Sequence, residues 1–258
     1  MTFPSFLKPT GTHDLIRVGS SSDGGYILPE RIFSKISGIM SMGLFDDWSF
    51  EKEARARARG VPVAVFDHTV NGKFWIRRIA ANVIKGILKL DINRLKRSAQ
   101  YFRYRRFFTQ DNCVHYLYGI GKQDKMLTLE QAMEMAGMQK GLLLKVDIES
   151  YEFDIIDEII KLQDSFVAIA IELHLIDKYS AETKYFVESL SQKFALVHFH
   201  ANNYDPANGT SFSPIIELSF MNREYILSEE ELSYRALPLE ALDSPSVPDN
   251  PDIIPVFD

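Results

Sequence analysis

Cysteine is almost missing from this sequence: Cys113 is the single one among 258 residues. One cysteine cannot form an internal disulfide, so the fold cannot depend on oxidation. The sequence also lacks a run of about 18 apolar residues, which a membrane-spanning helix requires, and a basic N-terminal stretch followed by an apolar one. We therefore expect a cytoplasmic protein that is neither secreted nor embedded in a membrane.

Net positive charge is missing as well. The chain has 29 Lys and Arg against 35 Asp and Glu, a net charge of −6, which disfavours a generic nucleic-acid coat. The segment 70–108 is the exception, because eleven basic residues accompany one acidic residue, Asp91, for a charge of +10. The remainder of the chain therefore carries −16.

Short apolar runs alternate with helical patterns along the chain, which is typical of a mostly parallel sheet covered by helices. Strands are predicted at 38–42, 61–66, 114–118, 142–146, 166–171, 196–199 and 215–220, and helices at 49–59, 129–136, 151–162 and 181–193. The connector 201–213 is rich in Asn, Gly and Pro, which predicts an antiparallel return of the last strand. This order is typical of an α/β class I (Rossmann-like) methyltransferase fold with seven strands.

We expect one domain over residues 1–258, with a basic helical insertion at 70–108. The tail at 238–258 carries five prolines together with acidic residues. Such a composition predicts an extended arm that lies on the domain or is partly disordered.

Candidate site residues follow the predicted strands, at the edge where open parallel sheets bind ligands. Gly43 follows the first strand, and a glycine there lets the backbone approach a ligand closely. Asp67 and His68 follow the second strand, where a carboxylate can accept both ribose hydroxyls of an adenosine cofactor. A tight turn at Gly43 and a solvated carboxylate at Asp67 are the structural alternatives.

Carboxylates and imidazoles follow the later strands. Asp147 and Glu149 lie two residues apart, so they face the same side of an extended chain. Glu172 and His174 end the fifth strand, and His200 ends the sixth. We expect all five in one catalytic pocket, as acids and bases or as ligands of a divalent metal, for which Asp147, Glu172 and His200 are the candidates. For any single histidine, a hydrogen bond to the backbone is the more common role.

Several segments, taken in order, form a known pattern. They are Asp23-Gly-Gly-Tyr26, SMGLFDDWSFE at 41–51, VFDH at 65–68, LLLKVDIESYEFDII at 142–156, IELH at 171–174 and HFHANN at 198–203. Together they resemble the FkbM-like branch of S-adenosylmethionine-dependent methyltransferases, from about residue 17 to the tail. Ser150 departs from the pattern, because the family typically has glycine at that position.

The resemblance implies a class I fold that binds S-adenosylmethionine and methylates a hydroxyl, usually on a sugar or another small natural product. It implies that Gly43 and its turn accept the methionine part, Asp67 the ribose, and that Asp147 lies at the methyl-transfer pocket. The complete set of residues predicted to bind the cofactor is Asp23, Gly25, Tyr26, Gly43, Asp67, His68, Gly121 and Asp147.

The predicted function is therefore O-methylation of a sugar, a glycan or a similar small molecule. His174 or His200 is the expected base because of the ordinary pKa of histidine, and a divalent metal could also acidify the acceptor hydroxyl. The alternative is a noncatalytic binding or membrane-recruitment module that keeps the fold and uses the basic insertion.

The insertion at 70–108 is predicted to begin with an amphipathic helix. At about 100° per residue, Arg78, Lys85 and Lys89 share one face. The opposite face is apolar and consists of Ile76, Ile79, Val83, Ile87 and Leu90.

Three roles are open for this insertion. It could be a helical cap that packs its apolar face on the domain or on a second subunit. It could attach the protein peripherally to the anionic inner face of a membrane, or bind nucleic acid through phosphate and base contacts. The acidic remainder of the chain makes nucleic acid the least favoured partner. In each case we expect the insertion to lie apart from the residues assigned to chemistry.

Overall fold

The structure is a computed structural model that describes residues 1–21, 24–204, 213–227 and 234–258. Asp23, predicted to bind the cofactor, and most of the predicted connector at 201–213 lie outside the described residues. The described chain contains eleven strands: β1 (Thr2–Phe3), β2 (Leu15–Gly19), β3 (Gly25–Pro29), β4 (Gly38–Met42), β5 (Val63–Phe66), β6 (Cys113–Tyr116), β7 (Leu142–Val146), β8 (Phe166–Leu173), β9 (Phe194–Ala201), β10 (Ile216–Asn222) and β11 (Val256–Phe257).

Seven of these strands form one sheet, in the order β6-β5-β4-β7-β8-β10-β9. All neighbours are parallel except β10, which runs antiparallel to β8 and β9. The first of these strands along the chain, β4, lies in the middle of the sheet. Later strands are added first on one side, as β5 and β6, and then on the other, from β7 onwards, so the strand order reverses between β4 and β7. This topology, with the last strand inserted antiparallel, confirms the predicted class I methyltransferase fold.

Helices cover both faces of the sheet. They are α1 (Ser49–Arg57), α2 (Gly72–Leu88), α3 (Ile92–Ser98), α4 (Gln100–Phe108), α5 (Leu129–Ala136), α6 (Glu152–Lys161) and α7 (Ser180–Leu190). Because both faces are covered, every residue of β4, β5 and β7 is buried. Alternation then divides the core, so that Leu142 and Leu144 pack towards α5 and α6 while Leu143 packs towards α1 and the β2–β3 hairpin.

Local sequence signals set several element ends. The Thr128 hydroxyl accepts a hydrogen bond from the Gln131 N–H at 3.1 Å, and the Gln131 side chain accepts one from the Thr128 N–H at 3.0 Å. This reciprocal pair begins α5, and Gly137, at φ 65°, ends it in a left-handed conformation.

The insertion packs on the sheet through a face other than the predicted one. In α2 the buried residues are Trp75, Asn82 and Gly86, whereas Ile76 and Ile87 are 70% and 61% exposed. The buried residues of α2 pack against α3 and α4, with Trp75 on Tyr101 and Tyr104, while Arg78 forms an ion pair with Asp46 of the β4–α1 loop. Of the three roles left open, packing of the apolar stripe on the domain is therefore not observed at Ile76, Ile87 and Leu90.

The C-terminal residues lie on the domain. β11 pairs in parallel with β1, and Ile253 is buried in the core. Asn203 holds the arm by donating hydrogen bonds from its amide to the carbonyls of Val247 and Asn250, both at 3.1 Å. Among the described residues, no helix is both long and apolar enough to cross a membrane.

Candidate functional site

A cleft of about 1430 Å³ opens at the carboxyl ends of β4, β5 and β7. It lies where the strand order reverses, which is where open α/β sheets bind their ligands. Pockets for one small molecule commonly measure about 300–1,000 Å³, so this cleft has room for a cofactor and an acceptor together.

Gly43 joins the exits of β4 and β7 within this cleft. Its φ is 85°, and a Cβ atom at this position would lie 1.7 Å from the carbonyl oxygen of Asp147. Its N–H donates to the Phe66 carbonyl at 3.1 Å, which ties the turn to β5 as well. Only glycine fits this turn, so the backbone of three strand exits can lie close to a ligand.

The Asp67 carboxylate lies at the expected place but already has protein partners. Its Oδ2 accepts from the N–H groups of Leu44 and Phe45 at 2.9 and 3.1 Å, and its Oδ1 accepts from the N–H and hydroxyl of Thr69 at 2.8 and 2.6 Å. Burial alone would raise the pKa of Asp67, but these hydrogen bonds lower it. A carboxylate offers about four lone-pair sites. Asp67 therefore holds the β4–α1 loop in shape, and ribose binding would require an exchange of these donors.

The other predicted cofactor residues divide into two groups. His68 is exposed and lines the cleft. Gly25 lies beside the lining residue Gly24, inside the hairpin, where a Cβ would meet the Ser20 carbonyl oxygen at 2.0 Å. Gly121 follows the lining residue Ile120 and is not itself part of the lining.

Tyr26 does not line the cleft, but it packs against Phe50 and Lys145, which do. It is buried, its ring packs edge-on against Phe50 at 5.5 Å, and the ammonium of Lys145 lies 5.9 Å from the ring centroid. Lys145 is itself buried, donates to the Gly43 carbonyl at 3.1 Å and lies 3.6 Å from Asp147 Oδ2. Burial lowers the pKa of this lysine, but the Asp147 and Glu51 carboxylates raise it by more than burial lowers it. Lys145 therefore keeps its positive charge, which balances the carboxylates at this acidic edge of the sheet.

Three of the predicted catalytic residues come together at the exits of β7 and β8. Asp147, Glu149 and His174 each offer a ligand atom, and these atoms lie within 4.8 Å of one another. His174 Nε2 lies 3.6 Å from Glu149 Oε2. On the other side of the ring, His174 Nδ1 lies 3.1 Å from Oε1 of Glu152.

Glu152 is a candidate site residue that could not be identified from the sequence. It is the first residue of α6, it is completely buried, and the same oxygen accepts from the Ile148 N–H at 2.9 Å. Because a carboxylate can only accept, the proton of His174 is assigned to Nδ1 and the lone pair to Nε2. Burial lowers the pKa of His174, and Glu152 more than offsets this, so the pKa is raised. A carboxylate at a helix start was the available signal, but nothing in the sequence pairs it with His174.

The predicted metal ligands Asp147, Glu172 and His200 do not converge. Glu172 accepts from the Asn202 amide at 3.0 Å and lies opposite Glu217 in the sheet. The ligand set that does converge, Asp147 with Glu149 and His174, could hold a divalent cation, although the ammonium of Lys145 opposes a second positive charge beside Asp147.

His200 lies in a buried ion-pair network away from the cleft lining. Its Nδ1 is 3.5 Å from Glu217 and its Nε2 is 3.1 Å from Asp252. Burial opposes its charge, yet the two carboxylates raise the pKa of His200 to about 11. It is therefore an imidazolium at neutral pH and has no free lone pair. His174 does not line the cleft either, but its Nε2 lies 3.6 Å from Glu149, which does, so His174 is the better placed candidate base.

Two consecutive residues beside this group adopt left-handed backbone conformations. Glu149 has φ 55° and Ser150 has φ 81°, a region that costs a residue with a Cβ about 1–2 kcal/mol. Glycine would adopt the conformation of Ser150 without this strain. Glu149 lies on the same turn, 87% exposed, with Oε2 3.6 Å from His174 Nε2.

We expect Ser150→Gly to raise the free energy of unfolding by about 1 kcal/mol, because glycine removes this strain. Ser191→Gly is the matched control, since Ser191 is exposed and has an ordinary φ of −59°, so its replacement should destabilise. Urea denaturation measures both variants. Equal losses of stability would contradict the strain at Ser150.

Comparison with known proteins gives similarity in fold only. No family model matches the sequence, and no curated protein matches it. Among solved structures, the chain is similar to the fibrillarin/Nop5p complex (9% identity, 72% of each chain covered, TM-score 0.40) and to the 23S rRNA methyltransferase ErmE (8%, 75% of this chain and 66% of that chain, 0.40). A third is precorrin-6y C5,15-methyltransferase from Geobacter metallireducens (10%, 74% and 86%, 0.36). Membership of the FkbM-like branch stays a prediction.

The predicted partners need correction. The sequence predicted a sugar or glycan acceptor and a membrane or subunit contact through 70–108, and it disfavoured nucleic acid. The names of two similar structures instead give rRNA as the substrate and Nop5p as the protein partner of those proteins. The insertion also does not lie apart from the chemistry, because Arg97, Arg103 and Arg106 line the cleft.

Proposed function

We propose that this protein is an S-adenosylmethionine-dependent methyltransferase that methylates an oxygen atom of its acceptor. The observation that carries the proposal is the histidine held by Glu152 at the strand exits, with Nε2 directed at Glu149 beside the Gly43 turn. S-adenosylmethionine would supply a methyl group on a positively charged sulfur. The residues present fit this cofactor: the glycine turn admits it, and Asp147 and Glu149 complement its positive charges.

The chain's own residues would perform the proton transfer. A hydroxyl loses its proton when its oxygen becomes methylated, so a base is required close to that oxygen. His174 Nε2 would accept the proton, and the resulting imidazolium would lie between the carboxylates of Glu152 and Glu149. Glu152 thus acts as a positioning residue, because it fixes the ring and stabilises its charged form without reaching the acceptor.

Calorimetry with S-adenosylhomocysteine tests the proposal, with adenosine as the control ligand. We expect one molecule of S-adenosylhomocysteine to bind per chain and adenosine to bind at least 10-fold more weakly, because adenosine lacks the amino-acid part that the Gly43 turn would accept. Absence of binding by S-adenosylhomocysteine would favour the noncatalytic alternative. Equal affinity for both ligands would indicate a general adenosine site.

A further inference from the structure

The basic insertion and the acidic sheet edge both line the cleft. Lys96 and Arg97 of α3 and Arg103 and Arg106 of α4 belong to its lining. Carboxylates at the strand exits, among them Asp147, belong to it as well. The cleft therefore offers carboxylates to a cationic cofactor and a group of cations to an anion.

These four cationic side chains are exposed, and the described part of the chain provides none of them with an acidic partner. Within the described ranges, ion pairs of the insertion involve Arg78 with Asp46 and Arg94 with Asp91, and none involves Lys96, Arg97, Arg103 or Arg106. A methionine carboxylate of the cofactor would neutralise at most one of them. At least three positive charges at the mouth of the site therefore remain for another anion.

Packing and polar contacts hold the insertion in place. The Arg78 guanidinium pairs with Asp46 and lies 5.2 Å from the centre of the Phe45 ring, and the Gln100 amide donates to the Asp46 carbonyl. Beneath them, the Trp75 and Tyr104 rings pack with centroids 4.9 Å apart. The four cations are thus carried on helices fixed to the rim of the cleft.

Resting on the proposed methyltransferase function, we propose that the acceptor carries phosphate, which Arg97, Arg103 and Arg106 bind together with Lys96. Guanidinium groups match phosphate oxygens in geometry as well as in charge. Within the cleft the described residues of the insertion offer no open stacking surface. Its lining aromatic residue, Phe107, is buried, and Phe102, which is 72% exposed, lies outside the lining. The recognised feature is therefore phosphate rather than a base.

The test measures pyrophosphate binding by calorimetry. Arg97→Gln/Arg103→Gln/Arg106→Gln should weaken it at least 10-fold. The control Arg77→Gln/Lys85→Gln/Lys89→Gln removes three charges from exposed positions outside the cleft lining and should weaken it less than 2-fold. Equal effects of the two variants, or no binding by the unaltered protein, would overturn the proposal. If the triple variant fails to fold, Arg103→Gln alone should still weaken binding at least 2-fold.

Two further measurements complete the design. A single-stranded RNA oligonucleotide and a nucleoside monophosphate are compared as competitors of pyrophosphate. Stronger competition by RNA that weakens steeply with salt identifies a polyanion, and equal competition per phosphate identifies a small acceptor; both support phosphate recognition. S-adenosylhomocysteine is titrated into the same variants, whose affinity should change less than 3-fold. If S-adenosylhomocysteine does not bind to the unaltered protein, the proposed methyltransferase function is wrong. The result for pyrophosphate would still show whether the cleft binds phosphate.

Discussion

Replacement of His174 by Gln is expected to lower the rate of methyl transfer by about 10²–10⁴-fold, the usual contribution of a general base. Affinity for S-adenosylhomocysteine should stay close to that of the unaltered protein, because the ring is assigned to the acceptor proton. Tritiated methyl transfer from S-adenosylmethionine to RNA and small-molecule fractions of a cell extract measures the rate. His198→Gln is the matched control, since His198 is buried and paired with Asp243 at 3.1 Å away from the cleft lining.

The pH dependence separates this role from a merely structural one. Transfer requires neutral His174, so the rate should rise with pH through its pKa, which lies above the ordinary 6.5. Glu152→Gln removes the carboxylate that raises this pKa while the burial remains, so the rising limb should move to lower pH and the maximal rate should fall. NMR titration of the histidine rings measures the same shift without an acceptor. If the rate of the Glu152→Gln variant rises over the same pH range as that of the unaltered protein, then Glu152 does not raise the pKa of His174.

The second large effect is expected at Gly43. Gly43 and Gly60 share a φ of 85°, but a Cβ at Gly43 would lie 1.7 Å from the Asp147 carbonyl oxygen, whereas Gly60 has nothing within 4 Å. Gly60→Ala should therefore cost only the backbone strain of about 1–2 kcal/mol. Gly43→Ala should cost about 1–3 kcal/mol more, because the exits of β4 and β7 must separate.

Urea denaturation and calorimetry with S-adenosylhomocysteine compare the two alanine variants. A folded Gly43→Ala protein should bind the ligand at least 10-fold more weakly, since the turn between the two strands is displaced, and Gly60→Ala should bind normally. Equal stability and equal binding for the two variants would show that Gly43 serves only as an ordinary turn.

The central strands could be predicted closely from the sequence. The predicted bounds 38–42 and 142–146 coincide with β4 and β7, because uninterrupted apolar runs are required where helices cover both faces of a parallel sheet. The return of β10 was also predicted correctly, from a connector without a helical pattern. By contrast, the face on which α2 packs was not predicted, because Trp75, Asn82 and Gly86 are buried by α3 and α4, and contacts between helices are not encoded in the periodicity of one helix.

For the site, the sequence determined which elements carry polar residues at their ends, and thus that Gly43, Asp67, Asp147, Glu149 and His174 meet at one edge of the sheet. Strand alternation and parallel order are enough for that inference. Only the tertiary structure decided which partner each side chain has. Asp67 accepts from the backbone of Leu44 and Phe45 and from Thr69, His200 is charged between Glu217 and Asp252, and His174 is held by Glu152. Apart from Thr69, these partners are distant along the chain, and hydrogen bonds and pKa values depend on contacts in space that periodicity does not encode.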